Sequence, residues 1–184
     1  MASTSSSSRS MESRTGRSMQ RKSTLSNCLN PTRGVLRQYA KECYNAKGER
    51  LVAGVVPLTE DRMYVLLIQS TRRKGWVLPK GGWESDEDCM QAAEREAWEE
   101  AGIVIRVDYD LGEIVDSRPP KKLSKEAPKS LYRFYEATVL REETEWPEKH
   151  KRERQWFTYS QATEALSSRP ELLQALEKST IQRL

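Results

Sequence analysis

The sequence predicts a mixed α/β (α+β) fold in which helices flank a β-sheet. Three observations predict it. Short β-rich runs recur between residues 51 and 140, one Ala- and Glu-rich helical segment interrupts them, and an amphipathic helical stretch closes the chain. At 184 residues the chain suits one domain with a modest appendage.

Residues 1–40 are rich in Ser, Thr and Arg, with Glu12 their only acid. Such a stretch buries too little apolar surface to offset its ordering entropy, so it reads as a disordered basic tail ahead of a domain spanning 41–184. Its functional readings are a phosphorylated tail, a basic nucleic-acid arm or a mitochondrial transit peptide, the last being likewise Ser- and Arg-rich and poor in acids. The Ser5–Ser8 run and the lack of a clear amphipathic helix favour the plain tail.

Leu51–Val56 and Tyr64–Ile68 are β-rich apolar runs joined by the turn Thr59–Arg62, and they read as two buried strands. Trp76–Pro79 is a brief strand stopped by its proline and by Gly81 and Gly82. Residues 86–101 contain no Gly or Pro and read as a helix, with Gly102 as its C-terminal stop. Val104–Val107 and Leu111–Val115 follow as two strands, 116–130 as a basic, Pro-containing loop, and Leu131–Leu140 as a long alternating strand. Trp156 and Phe157 open the last segment. Its helical stretch carries Ala162, Ala165, Leu166, Leu172, Leu173 and Leu176 on one face.

A formal charge of +4 fits an anionic partner without naming one. Cys28, Cys43 and Cys89 follow no metal-ligand or redox spacing, and an odd count argues against a disulfide framework. The single histidine, His150, leaves too few parts for a zinc site or a His-based triad. No apolar run is long enough to span a bilayer, and there is no secretory signal. The expectation is a monomer of the cytoplasm or nucleus, without membrane contact.

The chemistry concentrates in residues 81–103, GGWESDEDCMQAAEREAWEEAGI. A helix places Glu96, Glu99 and Glu100 at i, i+3 and i+4, where like charges repel unless a cation sits among them. Hard carboxylate oxygens suit Mg²⁺, which keeps waters and substrate phosphates as its other ligands. Ala93, Ala97 and Ala101, with Met90, form an apolar stripe for packing on a sheet. Arg95 is placed to hold Glu87 in a fork-shaped pair. Gly81 and Gly82 can bring a main-chain carbonyl close to a metal. A Glu-rich helix face is otherwise usually just solvated, so it is the full pattern that matters.

That pattern resembles the Nudix box, with Gly81, Glu87, Arg95, Glu96, Ala97, Glu99, Glu100, Gly102 and Ile103 at the family's positions. Ala97 is smaller than the family's usual aliphatic. Seven fixed letters at about 7% usage each would arise by chance in such a chain about once in a million trials. The resemblance implies a Nudix fold and a pyrophosphohydrolase using Mg²⁺ or Mn²⁺. Glu96 and Glu100 would be metal ligands, with the Lys80 or Gly81 carbonyl nearby, and Glu99 a ligand or the base for the attacking water; whether Glu99 or another carboxylate is the base stays open.

The string Leu66–Thr71, the basic residues after it, Trp76–Glu84 and Arg152–Phe157 resemble the diphosphoinositol polyphosphate phosphohydrolases, which also cleave diadenosine polyphosphates. This implies a densely anionic polyphosphate as substrate. Contacts would come from Arg50, Ser70, Thr71, Arg72, Gly81, Gly82, Arg118, Arg152 and Arg169. Three basic clusters suit such a ligand: Arg72-Arg73-Lys74, the lysines and Arg118 of the 116–130 loop, and Lys149, Lys151, Arg152 and Arg154. The alternatives are mRNA decapping and ADP-ribose-type pyrophosphate hydrolysis. RNA is not favoured, for want of an RNA-recognition aromatic motif.

Overall fold

The computed structural model describes residues 43–117 and 129–183. The expectations for the 1–40 tail, for Arg118 and for the lysines 121, 122 and 125 fall outside the described residues. The elements are β1 (Arg50–Leu58), β2 (Val65–Gln69), β3 (Trp76–Val77), β4 (Lys80–Gly82), α1 (Cys89–Ala101), β5 (Ile103–Val115), β6 (Ser130–Glu142), β7 (Arg154–Phe157), α2 (Tyr159–Leu166) and α3 (Pro170–Lys178).

The seven strands form a mixed sheet in the order β3-β2-β1-β6-β5, with β4 added to β1 and β7 to β2. Strand β1 runs parallel to β6 along its whole length, from Arg50 opposite Ser130 to Leu58 opposite Thr138. It meets β2 only at the Leu58–Val65 pair. Its first half is therefore free to pair with β4, Val52 to Gly82 and Gly54 to Lys80. Nothing in the local sequence predicts β4, because its pairing comes from this early parting of β1 and β2. Every residue of β1 after Arg50 is buried, so both faces of the strand are covered, as the apolar run predicts. Helix α1 packs against β1, β4 and β5; α2 lies against β2, β3 and β7, and α3 against α2 and β5.

Besides β4, three features differ from expectation. The two strands foreseen between 104 and 115 are one. Register shifts near Val104, Asp108 and Leu111 absorb the residues that break alternation, and Gly112 takes φ +79° beside the last of them. The closing helical stretch is two helices, because Pro170 cannot donate to α2 and instead starts α3. Met90 lies at the margin of the buried stripe of α1 and is 44% exposed; Cys89 and Ala92 fill that face instead.

Both ends of α1 are fixed. Asp88 caps the start, accepting from the Gln91 N–H, while the Gln91 side chain accepts from the Asp88 N–H. Gly102 ends it in the left-handed region at φ 62°. A Cβ there would also fall 2.5 Å from the Trp146 ring. Arg154 stacks on that ring at 4.3 Å and donates to the carbonyls of Ala101 (2.7 Å), Gly102 (2.9 Å) and Glu143 (2.8 Å). Arg154 thus closes the helix C-terminus and is not a free member of the third basic cluster.

Candidate active site

Helix α1 turns a carboxylate-bearing side toward β4. Glu100 is 8% exposed, and its Oε2 accepts from the Lys80 main-chain N–H at 2.9 Å. Glu96 lies against Gly81, where a Cβ would sit 1.9 Å from its Oε1. Gly81 is therefore required for space: its backbone is ordinary strand, not the special geometry its residue type suggests. Glu99 points outward, with 41% of its side chain exposed, against 12% for Glu96 and 10% for Glu100.

Arg95 organises the approach. Its Nε and Nη2 donate to Glu87 at 3.0 and 2.7 Å, forming the fork the spacing suggests. Nη2 also reaches the Gly82 carbonyl at 2.9 Å, and Nη1 spans Glu96 (2.9 Å) and Glu99 (3.1 Å). Trp83 is spent structurally, packing on the core and donating from Nε1 to the Glu87 carbonyl. Arg152 sits across the helix end, with Nη2 2.5 Å from Glu100, Nε 2.6 Å from Glu148 and Nη1 3.3 Å from the Gln69 carbonyl. Past Gln69 opens a concavity of about 490 Å³ lined by residues 69–76, which include Ser70, Thr71 and Arg72. Trp76 on its wall meets Phe157 edge-on at 5.0 Å.

The structure thus gathers Lys80, Gly81, Gly82, Glu87, Arg95, Glu96, Glu99, Glu100 and Arg152 around one helix. Arg169, bonded to Glu171 at 2.7 Å, is near enough for its charge to act on Lys80. Arg50 begins β1, two residues before Val52 pairs with Gly82. Glu148 and Gln69 escape sequence reading: Glu148 looks like one more acid in a charge-rich loop, and Gln69 contributes through its carbonyl.

Burial, then the negative charge of Glu100, push the Glu96 carboxyl up to about 7, against the pull of Arg95. Burial also raises Glu100, opposed by Lys80 and Arg152. Burial lowers the Lys80 ammonium to about 8; Arg169 and Arg152 add to this and Glu100 opposes it. Carboxylates this crowded are what a divalent cation relieves. Among the described residues, no three acidic, His or Cys side chains converge tightly enough to hold a metal as they stand. Glu96 and Glu99 are instead turned to Arg95, and Glu100 to Arg152. The donor set, oxygen only with a bare Gly81 against Glu96, fits Mg²⁺.

The shift makes stability pH-dependent. With its carboxyl raised, Glu96 holds a proton more tightly in the folded than in the unfolded state, so stability falls as pH rises from about 4.5 to about 7. We expect chelator-treated protein to lose on the order of 2 kcal/mol between pH 5 and 7.5. The lowered carboxyls of Asp61, Asp108, Asp110 and Glu148 act below this window. Lys80 acts above it, and Glu100, raised like Glu96, adds to the loss inside it. Urea midpoints measured across the window check this, with Glu96→Gln expected to show a shallower fall and not a flat line; a rise with pH, or an undiminished slope in Glu96→Gln, would count against it.

Oxygen donors beside a concentration of arginine suit a phosphate-bearing ligand with a divalent cation, and comparison with known proteins identifies the family. Residues 48–178 match the NUDIX domain family, and the chain belongs to it: it is a Nudix pyrophosphohydrolase. Nudix hydrolase 18, mitochondrial, of Arabidopsis thaliana is 37% identical over 132 residues, covering 66% of this chain and 71% of that protein. A human diphosphoinositol polyphosphate phosphohydrolase 3-alpha is 32% identical over 116 residues, covering 62% and 67% of the two chains. The fold is shared with a NUDIX hydrolase from Nitrosomonas europaea (TM-score 0.59, 18% identity, 71% of this chain and 87% of that one). It is shared also with a C. elegans Ap4A hydrolase binary complex (TM-score 0.53, 21% identity, 70% and 93%). Nudix hydrolases generally use a divalent metal such as Mg²⁺ and act on small-molecule polyphosphates. No helix among the described residues is long and apolar enough to cross a membrane.

One expectation is overturned. Nudix hydrolases 18, 17 and 16 of Arabidopsis, 37–38% identical, are all named mitochondrial, against the cytoplasm or nucleus expected here. The reason lies in composition. A Ser- and Arg-rich, acid-poor N-terminus suits a transit peptide as well as a plain tail, and the Ser5–Ser8 run does not separate the two.

Proposed function

We propose that the protein hydrolyses phosphoanhydride bonds of diphosphoinositol polyphosphates and diadenosine polyphosphates, with Mg²⁺ or Mn²⁺ held by α1. One observation carries the substrate reading: Arg152 joins Glu100 of the acidic helix to a concavity that Arg72, Arg73 and Lys74 help to line. A ligand with many phosphates can put one at the carboxylates and others among these cations. The name of the human relative and that of the C. elegans hydrolase support the two substrate classes.

In this reading Glu96 and Glu100, with Glu99 and the Lys80 or Gly81 carbonyl, would hold the metal. Bound there, it would supply charge to the phosphate oxygens and lower the pKa of a water. Glu99, the most exposed of the three, takes the water's proton. Arg50, Ser70, Thr71, Arg72, Gly82, Arg152 and Arg169 orient the polyphosphate, and Arg95 keeps Glu96 and Glu99 aligned. Residues 41–184 act as a monomeric catalytic domain.

The test incubates the protein and Mg²⁺ with a diphosphoinositol polyphosphate, diadenosine hexaphosphate, ADP-ribose and capped RNA. Turnover of the first two is expected, with Glu99→Gln slower by about 10²-fold or more and still binding Mg²⁺. Equal turnover by Glu99→Gln removes it as the base. Preference for capped RNA or ADP-ribose replaces the substrate assignment.

A further inference from the structure

Each oxygen of Glu100 already accepts a hydrogen bond, one of them from a cation. Its Oε2 is held by the Lys80 main-chain N–H and its Oε1 by Arg152. The first partner is rigid, because Lys80 pairs with Gly54 in the sheet. The second is a side chain with somewhere else to go. Of its three contacts, those to Glu100 and Glu148 are short, and that to the Gln69 carbonyl, at the rim of the concavity, is long at 3.3 Å. Glu148 is itself tied to the helix, its N–H donating to the Glu99 carbonyl at 3.1 Å.

We propose that Arg152 is the counter-ion that a metal displaces from Glu100, and that Glu148 is the positioning residue that retains Arg152 and swings it toward the 69–76 concavity. The proposal rests on the reading of α1 as the metal helix. With Nε kept on Glu148, the guanidinium can turn Nη2 from Glu100 toward the Gln69 side without leaving the site. Both states keep every buried charge partnered: Glu100 by Arg152 when empty, by the cation when loaded. The displaced arginine faces the space where a polyphosphate enters, so metal loading prepares anion binding. Such coupling is reciprocal. Lys149 and Lys151 cannot take this part, since they sit exposed on Glu145 and Glu148.

Calorimetric titration with Mg²⁺ alone, without substrate, tests this. Arg152→Gln removes the competitor and is expected to tighten Mg²⁺ binding about fivefold. Glu148→Gln leaves Arg152 with one carboxylate, so it grips Glu100 harder and weakens Mg²⁺ binding about fivefold. In Glu148→Gln/Arg152→Gln the loss disappears, and Glu148→Asp restores wild-type affinity. A weakening that persists in the double variant means that Glu148 acts on the metal directly and overturns the proposal. So does unchanged or weaker binding in Arg152→Gln, the result of a merely structural arginine. Thermal melts of each variant identify any that fails to fold, and Arg152→Lys then serves in place of Arg152→Gln, with the same direction expected from its looser grip. Wild type that binds Mg²⁺ but turns over none of the four substrates removes the proposed function alone. Wild type that binds no Mg²⁺ removes both.

Discussion

Gly81→Ala is expected to lower kcat about 10²–10³-fold while leaving the fold intact. The added Cβ would meet Glu96 Oε1, Cδ and Oε2 at 1.9, 2.0 and 2.2 Å, closer than any real contact. All three atoms belong to the far end of a flexible side chain. The carboxylate therefore swings aside, while the Ala53–Gly81 strand pairing holds. What is lost is the placement of one charge, not the packing of a core. Thermal melting is expected to move by about 3 °C or less. Mg²⁺ affinity should fall with kcat, since the displaced group is a proposed ligand. A variant with kcat within tenfold of wild type would show that Glu96 does not act from the position it holds beside Gly81.

How much of this could be read beforehand follows the range of each interaction. Helix α1 was legible because its signals are local, an unbroken run of helix formers without Gly or Pro up to Gly102; only its start, expected at 86, shifted to Cys89 behind the Asp88 cap. The Arg95–Glu87 fork was legible for the same reason, both residues lying within one short box. Strand β4 was not, since Lys80–Gly82 becomes a strand only where β1 leaves β2. The continuity of β5 was hidden by bulges that break alternation without breaking pairing. Arg154 and Arg152 look alike in sequence, two residues apart in one basic run. One is consumed by Trp146 and the helix carbonyls and the other reaches Glu100, and only long-range packing separates them. Glu148 had no signal at all.

Arg95→Met is expected to cost about 3 kcal/mol of stability and about 10²–10³-fold in kcat, effects that metal can separate. One guanidinium serves Glu87, Glu96, Glu99 and the Gly82 carbonyl. Its own pKa is held above the ordinary arginine value, first by the bonds to Glu87. Methionine fills much of the volume but leaves Glu87, 13% exposed, facing no cation. Glu96 loses the partner opposing its protonation, so its carboxyl rises further and competes with metal at neutral pH. Added Mg²⁺ can replace the lost charge at Glu96 and Glu99 but not at Glu87, which accepts from the Glu84 N–H at 2.9 Å and shapes the turn before α1. Saturating Mg²⁺ should therefore recover part of the stability and little of the rate. Arg95→Lys should recover little of either, because a single ammonium cannot reproduce the fork. Urea denaturation with and without Mg²⁺, alongside kcat, distinguishes the two roles. Full recovery of both by metal would mean that Arg95 is only a placeholder for the cation, with no part in ordering the turn or the carboxylates.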